Sequence, residues 1–545
     1  MIRPLIAAFT LGCSTLAGAA TLVHNIQGYT MNQGERIDFI GLEYDAGKIT
    51  RLHHSAESLA ASQADERIDG EGATLLPGLI DAHGHISSHG RSLSAVNLVG
   101  SPSEADSSAR VAAFIANNPQ REWILGRGWN QVLWPVKEFP ARASLDAISG
   151  THAVALNRID GHAMWANSKA LAQAGINDET PDPDGGQIIR DENGRATGVL
   201  IDNAMDLVFA VMPPVTDDDM QRFAAVALQD LASYGLTSVH DAGIRAQEVR
   251  AFKALREQQA MPVRVYAMLD VLDPANDAYL REGPLLDPDN LLVIRSVKIS
   301  ADGALGSRGA ALFKDYSDQP GQKGLLLVND EQLDHHISRA MVAGFQVNTH
   351  AIGTLANARV LDYYEAMIKK YNSRDLRHRN EHSQIIRPQD IPRFAEIGVV
   401  ASIQPTHATS DKNMAGDRLG EERLQGAYVW KKLIDSGAHV AGGSDFPVES
   451  ANPFFGLHAA VTRQSQDNQP PGGWMPDQKL TREQSLSLFT EDAAWAAHQE
   501  QALGRLLPGY EADFILVQDN YFTMPAQDLW KNKVLATYVA GKRVY

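Results

Sequence analysis

Two histidines, spaced two residues apart, follow a short apolar run near residue 80. His83 and His85 come just after Leu79 and Ile80. Because alternate side chains of a strand point to the same face, this spacing would direct both imidazoles to one side. At the carboxyl end of a buried strand, such a pair can bind one metal ion from a single rigid element. The alternative is two unrelated loop histidines, so the metal interpretation depends on further ligands elsewhere.

Other metal-competent side chains lie in or at the ends of similar apolar runs. These are Lys298, His350, His382 and Asp445. Each alone could be a hydrogen-bonded core residue or a helix cap. Five runs with such residues indicate one shared metal site instead. The run at 399–403 carries no comparable group, so no ligand is predicted there.

The apolar runs themselves predict the architecture that would bring these side chains together. Helical periodicity at 219–234, 331–343, 355–371 and 424–437 separates them. Strands that alternate with helices eight times are typical of a closed parallel barrel. The eight predicted strands are 79–85, 236–240, 263–269, 293–300, 345–350, 379–382, 399–403 and 439–445.

The segments outside these runs predict two further parts of the molecule. Short strand-like stretches with turns occur at both ends of the chain, which predicts one β-sandwich domain built from 21–75 and 500–545. The barrel would occupy 76–499. Its stretch 87–220 is too long for a barrel loop and is predicted to be an inserted subdomain. This subdomain contains a β-hairpin that turns at Asn193-Gly194.

The N-terminus has the pattern of a secretory signal. Arg3 precedes an apolar stretch at 5–11, and small residues follow at 17–20. We therefore expect residues 1–20 to be removed and the mature protein to be periplasmic or secreted. Cys13 is the only cysteine. Lipid attachment at Cys13 is the less favoured alternative because the preceding residues, 10–12, match a lipoprotein signal poorly. Disulfides and cysteine-based metal sites are not predicted.

The residues quoted above resemble the amidohydrolase superfamily. The segments that carry this resemblance are 81–85, Lys298, His350, 381–382 and 443–445. The stretches 160–171, 297–308 and 445–448 also resemble the branch that contains N-substituted formamide deformylase, known as amidohydrolase family 3. The resemblance extends from about residue 21 to the C-terminus and is more specific for the superfamily than for a substrate.

The resemblance implies a distorted (β/α)8 barrel beside a β-sandwich formed by both termini. It also implies a divalent metal site, most simply for Zn²⁺, with one or two ions. His83, His85 and Asp445 would bind one ion, and His350 and His382 a second. Lys298 would bridge the two as an N6-carboxylated lysine; an ordinary lysine beside one ion is the alternative. Metal-bound hydroxide would then cleave a non-peptide carbon–nitrogen bond, with Asp445 as the general acid and base.

Four other residues are candidates for substrate contact, although a structural role is at least as plausible for each. They are Arg127 and Trp129 in the insertion, His162 in the Asp-x-His pattern that the branch shares, and Arg308, which follows Lys298 on the same loop.

The charge of the chain and the chemistry of the predicted ligands limit the possible functions. The net charge of −17 argues against a nucleic-acid partner. We expect a small-molecule amide substrate and no stable membrane insertion after removal of the signal; a homo-oligomer stays open. The same ligands would also suit an ester or lactone hydrolase or a deaminase. The alternative from a different class is a non-catalytic exported protein that binds a metal or a solute.

Overall fold

The computed structural model describes residues 20–131, 134–158, 161, 163–183 and 185–545. The chain divides into two compact units. The first consists of the residues up to Gly84 together with Leu231–Gly243 and Pro262–Tyr545, and the second of His85–Asp230 and Ile244–Met261. Within the described ranges, no helix is both long enough and apolar enough to cross a membrane.

The first unit contains an eight-stranded, nearly closed parallel barrel, which confirms the predicted fold class. Neighbouring strands of the sheet follow the order of the chain. The strands are almost entirely buried, as expected when both faces of a sheet are covered. In chain order they are Leu79–Gly84, Leu236–Ile244, Arg264–Asp270, Leu292–Ser300, Gln346–Ala351, Arg379–His382, Val400–Ile403 and Val440–Gly442.

The first and eighth barrel strands meet just beyond the end of the short eighth strand. The backbone N–H of Asp445 donates to the carbonyl of His83 at 2.7 Å. A Cβ atom placed on Gly443 would lie 2.5 Å from the backbone nitrogen of His83. Only glycine allows the two backbones to approach this closely. The closure therefore places Asp445 beside His83.

Helices alternate with the barrel strands, and local sequence fixes several of their ends. The side chain of Asn329 accepts a hydrogen bond from the backbone of Gln332, whose side chain accepts one in return, which caps the helix that follows. The helices of the first unit are Ala56–Ala60, Asp277–Glu282, Asp330–Val342, Thr354–Tyr371, Ile391–Ile397, Pro405–Leu419, Glu421–Leu424, Trp430–Asp435, Pro453–Thr462, Arg482–Leu488 and Glu491–Ala496.

One predicted helix, 424–437, is wrong as a single element. The structure has two short helices, Glu421–Leu424 and Trp430–Asp435, with a turn between them. Tyr428 in this turn has a φ of 54°, a left-handed conformation that a continuous helix cannot contain. Its hydroxyl is hydrogen-bonded to Asp411 at 2.7 Å, so a tertiary contact overrides the helical periodicity.

In the first unit, the N-terminal part of the described chain contributes strands to two sheets, and the C-terminal part contributes strands to one of them. A four-stranded sheet contains Thr21–His24, Gly41–Asp45, Lys48–His53 and Glu66–Asp69. A six-stranded sheet contains Gln27–Asn32, Glu35–Phe39, Thr74–Pro77, Phe514–Val517, Val534–Val539 and Lys542–Arg543. Residues of both sheets share one apolar core. Thr74–Pro77 pairs with Phe514–Val517 and then leads directly into the first barrel strand.

The second unit is built on a mixed six-stranded sheet with apolar cores on both faces. Its strands are Val96–Asn97, Trp123–Trp129, Ala153–Arg158, Ala163–Ala166, Gly186–Arg190 and Ala196–Asp202. The last two form the predicted hairpin, with Gly194 at a φ of 77° in the turn. Its helices are Ile86–Leu93, Glu104–Asn117, Arg142–Ser149, Ser168–Gln173, Asp206–Phe209 and Ala246–Glu257; Asp217–Ser233 begins in this unit and ends in the first.

Short 3-10 turns complete the secondary structure of the described residues. They are Asn203–Met205, Pro274–Asn276, Arg374–Leu376, Pro388–Asp390, Pro476–Gln478 and Ala526–Lys531.

Candidate metal centre

The predicted ligands lie at or near the carboxyl ends of five barrel strands. His83 is the penultimate residue of the first strand, and His85 directly follows that strand. The others are Lys298 in the fourth strand, His350 in the fifth, His382 at the end of the sixth and Asp445 just after the eighth. In a parallel barrel these ends lie on one rim, which is where barrel enzymes have their active sites.

The orientation of His83 is fixed by a buried carboxylate. Its Nδ1 donates to Glu381, and both side chains are fully buried. Its Nε2 accepts from the Nζ of Lys298 at 3.1 Å and lies 3.6 Å from the Oδ1 of Asp445. A carboxylate that holds one imidazole nitrogen while the other faces the ligand group is the usual arrangement behind metal-binding histidines.

His382 is oriented in a comparable way by an amide. Its Nδ1 donates to the Oε1 of Gln404 at 2.8 Å. Its ring centroid lies 4.4 Å from that of His350 and 4.8 Å from that of His83. The structure therefore brings three of the predicted imidazoles, from strands one, five and six, into one cluster.

Two groups of three side chains have ligand atoms that all lie within 4.8 Å of one another. One group is His83, His85 and Asp445; the other is His382, His407 and Asp445. Asp445 belongs to both. Its φ of 62° and the φ of 75° at His382 are left-handed values that cost energy in non-glycine residues. Such strain is often found at functional sites.

The histidine cluster fits a divalent cation. The Nε2 atoms of His350 and His407 are buried and have no hydrogen-bond partner among the described residues. Native structures rarely leave buried polar atoms without a partner unless a ligand or water satisfies them. Burial, reinforced by Lys298, lowers the pKa of His83 to about 4 and that of His350 to about 3. Neutral imidazole is the form that binds metal.

Burial also shifts the pKa of Lys298, whose side chain reaches the cluster from the fourth strand. Desolvation lowers this pKa, and the nearby carboxylates of Glu381 and Asp445 oppose the change. A lysine with a lowered pKa spends more time as the neutral amine, which is its nucleophilic form.

A buried polar network supports Glu381 from behind. The guanidinium of Arg379 donates from Nη2 to the Oε2 of Glu381 at 3.1 Å and from Nη1 to the Nδ1 of His240 at 2.9 Å. All three side chains are fully buried. Each donor that holds the carboxylate in place also limits how far His83 can rotate.

Two buried aspartates hold the loops around the cluster. Asp81 accepts from the backbone of His83 at 3.0 Å and from the backbone and hydroxyl of Ser444 at 3.1 and 2.6 Å. It thereby ties the first strand to the loop that carries Asp445. Asp302 accepts from three backbone N–H groups and links the loops that follow strands four and five; its donors are Ala311, Ile352 and Gly353.

The four candidates for substrate contact have different surroundings. Arg308 pairs with Asp318 at 2.9 Å, in the first unit. In the second unit, Trp129 is a buried core residue whose Nε1 donates to the carbonyl of Leu156 at 2.7 Å. Arg127 is exposed on the same strand. His162 lies outside the described residues.

His407 is the member of these groups that was not predicted from the sequence. It follows the seventh run, for which no ligand was predicted, and lies four residues beyond the end of that strand, in the helix Pro405–Leu419. A histidine inside a helix does not fit the strand-end pattern that predicts the other ligands. The available signal was proline at the first helical position, which places His407 in the first turn, close to the barrel rim.

The model of the amidohydrolase family matches residues 66–545 of this chain. The chain belongs to the amidohydrolase family. This confirms the resemblance derived from the strand-end residues. The match includes all six predicted ligands and covers most of the chain.

Individual relatives of this amidohydrolase extend the comparison. The Bacillus subtilis protein named "Putative amidohydrolase YtcJ" is 32% identical over 527 residues, which cover 95% of this chain and 98% of that protein. The N-substituted formamide deformylase of Arthrobacter pascens is 26% identical over 514 residues, covering 91% of this chain and 93% of the deformylase.

A solved structure supports the same assignment. The crystal structure of an uncharacterized metal-dependent hydrolase from Pyrococcus furiosus has a TM-score of 0.76 and 27% identity, and the match covers 92% of this chain and 100% of that chain. The family, its fold and the histidine–aspartate groups together identify a metal-dependent hydrolase.

Proposed function

We propose that this amidohydrolase cleaves a non-peptide carbon–nitrogen bond, most simply a linear or cyclic amide, and that Asp445 is its general acid and base. The observation that supports this most strongly is the position of Asp445. Its carboxylate is shared by two groups of histidines and lies at the rim where the strands end. A carboxylate there can take a proton from the attacking water and return it to the leaving nitrogen.

The donors of the site match a divalent cation. Imidazole and carboxylate ligands favour Zn²⁺, which when bound lowers the pKa of water and polarises the scissile carbonyl. His83, His85 and Asp445 would hold one ion, and His350 and His382 a second. Glu381 would keep His83 oriented, and the carboxylate of Asp445 would move the proton.

Lys298 is proposed to carry a carbamate that bridges two ions. Its Nζ lies 3.1 Å from the Nε2 of His83, inside the cluster. The neutral Nζ would add to the carbon of CO2 and release a proton, which would give this lysine a carbamate with two oxygens that suit two cations. Lys298→Ala should then lose one metal equivalent, and short carboxylic acids should partly restore it. Unchanged metal content in Lys298→Ala would contradict the bridge.

The proposed reaction is tested by measuring hydrolysis and metal content in the same preparation. Wild type and Asp445→Asn would be assayed with N-formyl and N-acyl amines, esters, lactones and ring amines. We expect amide hydrolysis by wild type and a loss of about 10²- to 10⁴-fold in kcat for Asp445→Asn. Asp435→Asn is the matched control because Asp435 is exposed and pairs with Lys431 on its own helix.

Each other outcome of this assay points to a different function. Wild type that binds metal but hydrolyses nothing in the panel would indicate a metal- or solute-binding protein. Faster cleavage of esters or lactones, or deamination of a ring, would keep the site and change the reaction. The deformylase named among the relatives makes N-formyl amines the first substrates to test.

Export is also proposed, on the basis of the signal-like pattern in residues 1–20. The full chain, expressed in a bacterium with two membranes, should be recovered from the periplasm with an N-terminus near residue 21. Recovery in the cytoplasm with Met1 retained would contradict export. Incorporation of a labelled fatty acid would indicate the lipid anchor at Cys13 instead. The oligomeric state of the mature protein can be measured by light scattering.

A further inference from the structure

His407 projects from the first turn of the helix that follows the seventh barrel strand. Pro405 occupies the first position of this helix and fixes where it begins. The side chain of His407 is only 12% exposed. Its Nε2 is buried and has no hydrogen-bond partner within the described ranges. A buried imidazole nitrogen without a hydrogen-bond partner is normally satisfied by a ligand or by water.

The atoms around this nitrogen are spaced like metal ligands. The Nε2 of His407 lies 3.7 Å from the Oδ2 of Asp445, which is too far for a hydrogen bond. Donors that each bind one Zn²⁺ at about 2.0–2.2 Å lie about 3.3–3.6 Å apart in tetrahedral geometry. His382 completes the group, with all three ligand atoms within 4.8 Å of one another.

The two oxygens of Asp445 face different histidines. Oδ1 lies 3.6 Å from the Nε2 of His83, and Oδ2 lies 3.7 Å from the Nε2 of His407. A carboxylate in this position can give one oxygen to each of two neighbouring cation sites. His83 and His407 therefore each approach a different oxygen of Asp445.

Asp411 fixes the helix of His407 relative to the strand of His382. The Oδ2 of Asp411, on the same helix as His407, accepts from the Nε2 of Gln384 and from the hydroxyl of Tyr428, both at 2.7 Å. Gln384 is two residues beyond His382. The separation between the two histidines is therefore set by hydrogen bonds outside the site, as a preorganised ligand pair requires.

We propose that His407 is a metal ligand and that, together with the Oδ2 of Asp445, it joins His350 and His382 at the second cation site of this protein. This adds a seventh ligand, from the helix that follows the seventh strand, to the six predicted from the sequence. The inference rests on the proposed metal-dependent function, because it requires that the wild-type protein binds a cation at this rim.

The test measures metal binding directly. Wild type, His407→Ala and His407→Asp would be stripped with a chelator, refilled with Zn²⁺ and analysed for bound metal and affinity. His407→Ala should lose one equivalent or bind it more than about 100-fold more weakly, since even residues behind the ligands contribute 10- to 100-fold. His407→Asp keeps a ligand atom and should restore part of this loss.

The control is His458→Asn. His458 is also a buried helix histidine of the first unit, but its Nε2 has partners in Thr462 and Asn468. The His458→Asn variant should bind Zn²⁺ with the stoichiometry and affinity of wild type. In the Co²⁺-substituted protein, His407→Ala should also change the visible d–d bands, and His458→Asn should not.

The outcomes separate the two proposals. Wild-type stoichiometry and affinity in a folded His407→Ala would overturn this inference and leave the proposed function intact. Absence of bound metal in the refilled wild type would overturn the proposed function itself. If His407→Ala does not fold, as judged by circular dichroism, His407→Asp decides: metal content and Co²⁺ bands identical to wild type would contradict the inference.

Discussion

The two ends of the barrel both contain buried charged or titratable groups, but they satisfy them differently. At the amino end, Arg264 is 1% exposed and donates to both oxygens of Asp513, at 2.7 and 3.0 Å. It also donates to the carbonyl of Asp289, and Asp513 accepts from the backbone of Ala540. At the carboxyl end, the Nε2 atoms of His350 and His407 have no hydrogen-bond partner among the described residues.

This difference shows that burial alone does not mark a functional site. The Arg264–Asp513 pair has charge balance and several hydrogen bonds, and it joins the third barrel strand to the sheet that contains Phe514–Val517. Its role is structural. The histidine cluster is also largely buried but leaves ring nitrogens available, as a site that binds a cation must.

The largest effect on stability is expected from breaking the ion pair between Arg264 and Asp513. Arg264→Ala leaves the carboxylate of Asp513 buried without its charge partner, which should cost about 3–5 kcal/mol of unfolding free energy. Chemical denaturation would measure this loss, and metal affinity of the folded fraction should stay at the wild-type value. Arg250→Ala, which removes an exposed pair with Asp217, is the control and should change stability little. A similarly small loss of unfolding free energy in both variants would contradict the structural role assigned to Arg264.

A moderate effect is expected from the carboxylate behind His83. Glu381→Gln removes the negative charge that holds the Nδ1 proton of His83, so metal affinity should fall about 10- to 100-fold. Competition with a chromophoric chelator would measure it. Asp513→Asn, at the other end of the barrel, is the matched control: it should lower stability without changing metal affinity. Equal metal affinity in Glu381→Gln and wild type would contradict the proposed support of His83.

The smallest effect is expected at Arg308. Its guanidinium is paired with Asp318, which also accepts from Arg418. If these contacts are its main role, Arg308→Ala should keep kcat/KM within about fivefold of wild type, because exposed ion pairs contribute little. Steady-state kinetics would measure this. A large rise in KM would instead support the substrate contact predicted from the sequence.

The barrel could be predicted from the sequence because the periodicity of strands and helices depends on residues that are close together in the chain. The sixth strand was predicted with the observed bounds; the helix at 331–343 was displaced by one residue, and the helix at 355–371 begins one residue earlier and ends where predicted. The helix at 424–437 was wrong because Tyr428 adopts a left-handed conformation stabilised through the distant Asp411. The periodicity of apolar residues carries no information about contacts between residues that are far apart in the chain.

The site was predictable only as far as its ligands lie in or beside strands. His83, Lys298, His350 and His382 could be found in this way, and Asp445 lies close behind the short eighth strand. His407 could not, because it lies in a helix and reaches the site only through the fold. The network of Arg379 and Glu381 was also hidden, since arginine and glutamate are usually surface residues.

The central claim is that the rim of the barrel holds a catalytic metal centre. The most direct measurement is hydrolysis of N-formyl and N-acyl amines by the purified protein before chelation, after chelation and after refilling with Zn²⁺, with bound metal determined at each stage. We expect the activity to disappear with the metal and to return with it. Hydrolysis that continues unchanged in the metal-free protein would contradict it.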